Sequence, residues 1–481
     1  MASLKRTLSP MKALGTTISV TSVMTGIVPL TQNALGAGGP VMLVFGFAFA
    51  SLMASSIALS LADIASGFPN VKGGLIEYSR RLAPPKLRRL SSWVTSTASC
   101  AFSFALFGTA AIQLATGSNP GRWVTVFIHI IISILFGAVN ALHLNVDIVS
   151  MIWHLVGPIV VFLTIAASVR SPPTANWILT HFENQTGWAS SFYVILLGLM
   201  QGAFTMTGYD APIHTMHSIE DAAWKVPQGI LFGFLISFAI GELLILTLLY
   251  GIGNLQEILN PAISGISSIE IFVHLIGNFG VACMIVIFMG TFFFCGQGIL
   301  KACSTIGHEL AVSGAFPKSQ YLSQAMTSAV AMELNLVYCI PVALRLFFPS
   351  PTRFQSGPFS LGRYSRPIAL IAITWSVLCV FIFSLPGFYP ITAQDMNYAS
   401  ILLVATISII IGYWYFSARH WFDLEQPLES QWLKSKAETM IEHTLPRAIT
   451  SEGSPQERDL DEIENWLDHL ERDLRDLREL K

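Results

Sequence analysis

The chain has 481 residues, of which 53% are hydrophobic and 12% charged, with 27 Lys and Arg against 29 Asp and Glu. Soluble domains carry roughly twice that charged fraction, so a soluble fold is excluded, and a basic, aromatic-rich domain for nucleic acid is missing from the sequence. Apolar stretches near 20 residues recur along the chain, each long enough to cross a bilayer core of about 30 Å as a helix, whereas the ~10-residue alternating strands of a membrane barrel do not occur. The expected fold class is therefore an all-α polytopic membrane protein, with the lipid bilayer as its first partner.

The opening "MASLKRTLSPMKALG" places basic residues before an apolar segment that runs on to Ala37 without a cleavage site, which reads as a cytoplasmic N-terminus (1–13) and a first span rather than a removed signal peptide. Five spans are expected in 14–168: Leu14–Ala37, Val41–Phe68, Leu90–Ala115, Trp123–Asn140 and Val146–Ser168. Four more fall in 192–348: Phe192–Thr215, Val226–Leu249, Phe279–Cys303 and Met326–Phe348. Ile368–Leu385 and Tyr398–Phe416 complete a set of eleven in 368–416.

Short loops rich in Lys and Arg stay cytoplasmic, so Lys72, Arg80, Arg81, Lys86, Arg88 and Arg89 place the second-to-third connection inside. Alternation then puts the sequon Asn184-Gln185-Thr186 outside, where Asn184 can carry a glycan. The alternation fails once. Ser304–Gln324 and the segment holding Arg353, Arg363 and Arg366 both belong inside, yet only one span separates them. Three explanations stand: a span is missing near the ninth position, Met326–Phe348 dips in and returns, or the basic loop lies outside. The six cysteines (100, 283, 295, 303, 339 and 379) form no CxxC pair, so neither a disulfide frame nor a metal site is expected. In the polar tail, 417–481, the 3,4-spaced Leu460, Ile463, Leu467, Leu470, Leu474 and Leu477 predict an amphipathic helix over 455–480, a surface for a protein partner or for membrane.

Within the sixth span the run breaks at Gly208-Tyr209-Asp210-Ala211-Pro212. Irregular backbone survives in a membrane only inside protein or beside a water-filled cavity, so the break predicts a cavity. Gly208 permits unusual backbone angles and Pro212 disfavours helical geometry before it. Five spans earlier, "LGTTISVTSVMTG" supplies Gly15, Gly26 and many hydroxyls, as an interrupted partner helix requires, although such glycines also serve close helix packing. Asp210 can cap the second half-helix, face the cytoplasm or touch substrate. His154 and Glu242 are the intramembrane candidates for coupling to H+. Trp93, Phe204, Tyr209 and Phe292–Phe294 offer rings for an amine. No histidine cluster, nucleophile elbow or pair of catalytic acids appears in the sequence, so catalytic residues, metal and cofactor are all expected to be none.

Four stretches, "GGPVMLVFGFAFASLMASSIALSLADIASGFPNVKGG", "RLAPPKLRRLSSWVT", "TGYDAPIH" followed by "DAAWKVPQGI", and "SLPGFYPITAQDMNYASI", together resemble the fungal amino acid and choline permeases of the amino acid, polyamine and organocation (APC) superfamily. The resemblance implies a LeuT-like fold of two inverted five-span repeats with two added helices, working by alternating access. It places substrate segments on Gly15, Thr16, Thr17 and Ser19 and on Thr207, Gly208, Tyr209, Asp210 and Ala211. It implies transport of amino acids, 4-aminobutyrate, choline or polyamines, with the plasma membrane ahead of vacuolar or other internal membranes as the address. Departures from the family pattern fall at Gly15-Thr16-Thr17, His217-Ser218, Thr305 and Val312-Ser313, and one of twelve spans is short. A non-transporting sensor or an inactive truncated paralogue is the alternative function.

Overall fold

A computed structural model describes residues 10–69, 71, 74–91, 94–95, 146–214, 216, 219–260, 267–312, 327–391 and 399–419. Most of the third and fourth expected spans, Trp93, His217, Ser218, Ser313 and the 455–480 helix lie outside the described residues. What is described is helical, with one isolated bridge between Ala37 and Asn184. Six of these helices are long and apolar enough to cross a membrane, and three shorter apolar helices accompany them.

In chain order the helices are α1 (Pro10–Thr21), α2 (Val23–Gly36), α3 (Gly39–Gly67), α4 (Gly74–Leu82), α5 (Asp147–Ser168), α6 (Ala175–Thr180) and α7 (Ser191–Thr205). They continue with α8 (Ala211–His214), α9 (Ala222–Tyr250), α10 (Leu255–Leu259), α11 (Ser267–Val312, interrupted at Gly277), α12 (Thr327–Phe347), α13 (Ser365–Ile382) and α14 (Ala399–Tyr413). Helix starts follow local chemistry. The side chains of Thr174 and Asn254 accept the Trp177 and Gln256 N–H groups at the starts of α6 and α10.

The centre of the bundle is α1 and α2, with α9 and α3 on one side and α5 and α11 on the other. Close approach rests on small residues: a Cβ at Gly233 would lie 2.5 Å from Thr17, and one at Gly229 2.8 Å from Ala13, so α9 comes near the α1 backbone. Gly26 meets Thr205 in the same way, a Cβ there falling 2.4 Å from its Oγ1. Large apolar side chains on α5 and α13, such as Ile152, Ile159, Leu370 and Phe381, point outward, as a lipid-facing surface requires.

Two faces are distinguishable. On one, residues 181–188 clamp the α2–α3 turn: Gly38 N–H donates to Glu183 O (2.8 Å) and Gln185 N–H to Gly36 O (2.8 Å). On the other lie the basic residues of 80–89, the face that the charge rule expects to be cytoplasmic. Arg353 Nη1 donates to Leu82 O (3.2 Å), so the Arg353–Arg366 segment shares that cytoplasmic face, which removes the alternative of an outer basic loop. Reversal within Met326–Phe348 is removed as well, because α12 is one uninterrupted helix.

Helix directions expose the remaining problem. Ser268 in α11 bonds Val28 O (2.5 Å) midway along α2, on the outer side of Ser22, while the Cys295 thiol lies 3.7 Å from Val20 O on its inner side, so α11 runs inward. Next comes α12, whose Tyr338 lies at the level of Gly208 and whose Arg345 pairs with Asp63 (2.9 Å) at the cytoplasmic end of α3, so α12 runs inward too. Two consecutive inward helices need a return crossing, and only residues 313–326 connect them. At about 1.5 Å per residue a helix of that length covers roughly 21 Å of a core about 30 Å thick.

Candidate functional site

Both helices expected to be interrupted are interrupted. The first breaks at a single residue, Ser22, whose φ of 39° and ψ of 69° are left-handed. An L residue there carries a cost of about 1–2 kcal/mol, which the surroundings must offset. His154 on α5 supplies one contact: Nδ1 donates to Ser150 O (2.8 Å), so in the neutral ring Nε2 accepts the Ser22 hydroxyl at 2.9 Å. Thr25 supplies another, donating to Ser22 O through its N–H (2.9 Å) and its hydroxyl (2.7 Å).

The second interruption covers Met206 to Asp210 between α7 and α8. Gly208 has φ +85°, a conformation that favours glycine, and a Cβ there would lie 2.9 Å from Val20 Cγ1 and 3.3 Å from the Val20 carbonyl. Pro212 falls in the first turn of α8, where a missing N–H goes unfelt. Tyr338 of α12 holds the break from outside. Its hydroxyl accepts the Gly208 N–H at 3.2 Å and donates to Asp210 Oδ1, while His214 Nε2 meets Asp210 Oδ2 at 3.0 Å. Tyr209 is buried between Tyr338 and Phe234, with ring centroids 5.2 and 5.5 Å away.

The breaks touch each other. Gly208 sits against Val20, two residues before Ser22, and Val20, Ala211, Cys295 and Ile299 form one small buried cluster. A helix that stops and restarts leaves its last carbonyls and first amides without intrahelical partners, so this is where backbone polar groups face the middle of the bundle.

The expected site residues divide around this point. Gly208, Tyr209, Asp210 and Ala211 lie at the second break, with Thr207 beside them, its hydroxyl bonded to Phe204 O (2.8 Å). Gly15, Thr16, Thr17 and Ser19 lie inside the regular helix α1, and the interruption comes three residues after Ser19. Thr17 spends its hydroxyl on Gly229 O (3.0 Å), Ser19 accepts from Ser150 (2.7 Å), and Gly15 packs against Met151. Phe294 pairs with Trp153 at the α5–α11 seam, and Phe292 is buried in the core. His154 is at the first break. Glu242 Oε2 has no hydrogen-bond partner among the described residues, and no hydrogen bond there ties Glu242 to either break. Asn184 is exposed, its side-chain oxygen taken by Thr186 (2.8 Å). Sequence reasoning missed Ser22, Tyr338 and His214 as partners in the breaks. Tyr338, a hydroxyl-bearing ring within an apolar span, carried the signal that could have found it.

Two helices broken opposite one another inside a helical bundle define a transporter-type architecture. The chain aligns with the manganese transporter of Eremococcus coleocola, solved with an aromatic bis-isothiourea substituted compound, at a TM-score of 0.52 over 84% of this chain and 93% of that one. At 13% identity the likeness is one of fold. The pattern of the family described as amino acid permease matches residues 11–328. Amino-acid permease BAT1 of Arabidopsis thaliana is 31% identical over 87% of this chain and 93% of its own. A choline transporter of Saccharomyces cerevisiae is 24% identical over 89% and 84%. The chain belongs to the amino acid permease family, within the APC superfamily, and is an integral multi-pass membrane protein.

Proposed function

We propose that the protein is a secondary transporter of small nitrogenous solutes, among them amino acids, 4-aminobutyrate, choline and polyamines, working by alternating access. One observation carries the reading: two helix interruptions meet at Gly208 and Val20, deep in the bundle. The relatives' names, amino-acid permease and choline transporter, support a solute of the amino acid or organic cation class. The start of α2 at Val23 presents the positive end of a half-helix, suited to a solute carboxylate, and Phe204 and Tyr209 offer rings to an amine. Because the Thr17 hydroxyl donates to Gly229 O and Ser19 Oγ is engaged as the acceptor of Ser150, backbone groups of 19–23 and 206–210 are the better ligands. Gly15 and Thr16 then line the path on the cytoplasmic side, while Asp210, held by Tyr338 and His214, fixes the shape of the break.

For coupling to H+, His154 ranks ahead of Glu242, since it touches the first break directly. The plasma membrane is the proposed address, with a glycan on Asn184 outside and the 417–481 tail available to a protein partner inside. A screen of labelled choline, 4-aminobutyrate, polyamines and amino acids in vesicles carrying the protein tests this: uptake of one class, lost in Gly208→Leu, is expected. Undiminished uptake by that variant refutes the site.

The short connection 313–326 favours a second reading, a non-transporting sensor or a truncated paralogue. Solute binding without counterflow supports it. Sequencing the transcript across the codons for 319–333 separates its two forms, since an extra in-frame apolar segment there means that a span was lost from the reading frame rather than from the protein.

A further inference from the structure

A cavity of about 310 Å³ opens on the cytoplasmic face between α3, α12 and α13, and none of its lining residues belongs to the two breaks. Arg345, Arg353 and Arg366 line it, together with Ser350, Gly362 and Ser365, and no acid is among its lining residues. Asp63 is fully buried behind Arg345 and pairs with it at 2.9 Å. That answers one of the three charges. On the same face Arg80 and Arg81 are already matched, since both bond Glu77, and that carboxylate raises the pKa of Arg80 still further. Arg353 gives one N–H to the Leu82 carbonyl, its neighbour Phe354 stacks under Arg345 (4.0 Å), and Arg353 makes no ion pair among the described residues. Arg366 is exposed and makes no ion pair among the described residues.

We infer that this cavity is a binding site for the phosphate-bearing headgroup of an anionic phospholipid of the cytoplasmic leaflet. The chemistry fits in three respects. Guanidinium groups bind phosphate oxygens bidentately, and the serine hydroxyls add donors. Gly362, which lines the cavity, has nothing within 4 Å of where a Cβ would stand, so the chain entering α13 leaves room there for a headgroup. Apolar Phe347 and Leu370, both exposed on the adjoining helices α12 and α13, give the acyl chains a surface to lie along, which a soluble phosphate would not need. Anionic lipids concentrate in the leaflet that this face meets, and basic pockets between helices there are the expected place for them. The consequence is functional: a lipid bound here bridges α12, which carries Tyr338, to α3 and α13. This inference does not depend on which solute is carried.

The test uses the full-length protein in neutral detergent, probed with short-chain phosphatidylinositol phosphate, phosphatidylcholine of equal chain length, and the free inositol phosphate. Wild type is expected to bind the anionic lipid and not phosphatidylcholine. Arg353→Gln with Arg366→Gln should weaken it roughly tenfold or more, since each arginine near an anionic surface contributes on the order of one such factor of five. Arg170→Gln, exposed on the opposite face, should leave binding unchanged. Arg366→Gln alone, an exposed side chain, provides the reading if the double variant unfolds. Equal affinity in wild type and variants overturns the site. Free inositol phosphate binding as tightly as the lipid overturns the lipid and assigns a soluble phosphate. Absence of any binding, with the arginines protected by acidic residues of the 451–481 tail, overturns both.

Discussion

The two helix interruptions solve the same problem with opposite means. At the second, the sequence itself disrupts the helix: Gly208 takes φ +85°, Pro212 starts a new turn, and five residues are released. At the first, a single serine is held left-handed in a stretch with neither glycine nor proline at the break, and its partner His154 lies 132 positions away. The second break is written locally, and tertiary contacts refine it. The first exists because α5 and α11 are in place around it. A locally encoded break should survive loss of one partner but not loss of its glycine, and a tertiary break should show the reverse.

The largest effect is therefore expected for Gly208→Leu. A left-handed leucine carries about 1–2 kcal/mol of backbone strain, and its side chain must displace Val20 of the opposite break. Uptake should fall by roughly tenfold or more, with delivery to the membrane largely kept, as read by surface labelling beside transport. Tyr338→Phe comes next. It removes the donor to Asp210 and the acceptor of the Gly208 N–H in a buried site; a bond to a carboxylate contributes about 1.5–3 kcal/mol and a neutral one about 0.5–1.5 kcal/mol. A lowered thermal midpoint in detergent is the readout. If Tyr338→Phe leaves both midpoint and uptake unchanged, the second break is held by its own sequence alone.

This contrast also explains what the sequence disclosed. Hydrophobic runs located two spans closely, Asp147–Ser168 against the expected Val146–Ser168 and Thr327–Phe347 against Met326–Phe348, while the expected Phe279–Cys303 lies within a longer helix, Ser267–Val312. Length and apolarity are properties of each segment alone, so they can be read without a fold. The Gly208 break was legible for the same reason. Ser22 was not, because serine does not prefer positive φ and its stabilising contacts come from another helix. The role of Tyr338 arises only when α12 packs against the second break, 128 positions away in sequence, whereas the His214–Asp210 pair spans only four residues and was open to local reading. Thr16, Thr17 and Ser19 were placed at the substrate segment by resemblance, while the interruption itself falls at Ser22.

His154→Phe probes the tertiary break. The ring volume is kept, but the Ser150 carbonyl and the Ser22 hydroxyl lose their partner, at a cost of about 1–2 kcal/mol. The midpoint should drop less than in Tyr338→Phe, while uptake drops more than stability alone predicts if the ring also handles the coupling proton. Uptake that keeps its dependence on a proton gradient in His154→Phe shifts that role to Glu242.

Ser22→Gly should have the smallest effect, for a reason that the other variants do not share. Glycine removes the left-handed strain of about 1–2 kcal/mol, which favours the broken helix. It also deletes the hydroxyl that meets His154, a bond contributing about 0.5–1.5 kcal/mol, and adds chain entropy to the unfolded state. These terms oppose one another at similar size, so the midpoint should move little in either direction. Combining it with His154→Phe isolates the bond. In the Ser22→Gly background the histidine no longer has its hydroxyl partner, so His154→Phe should lose part of its effect there. Full additivity of the two changes would mean that His154 steadies α5 through Ser150 alone and that the first break is held by Thr25 and the packing around Val20.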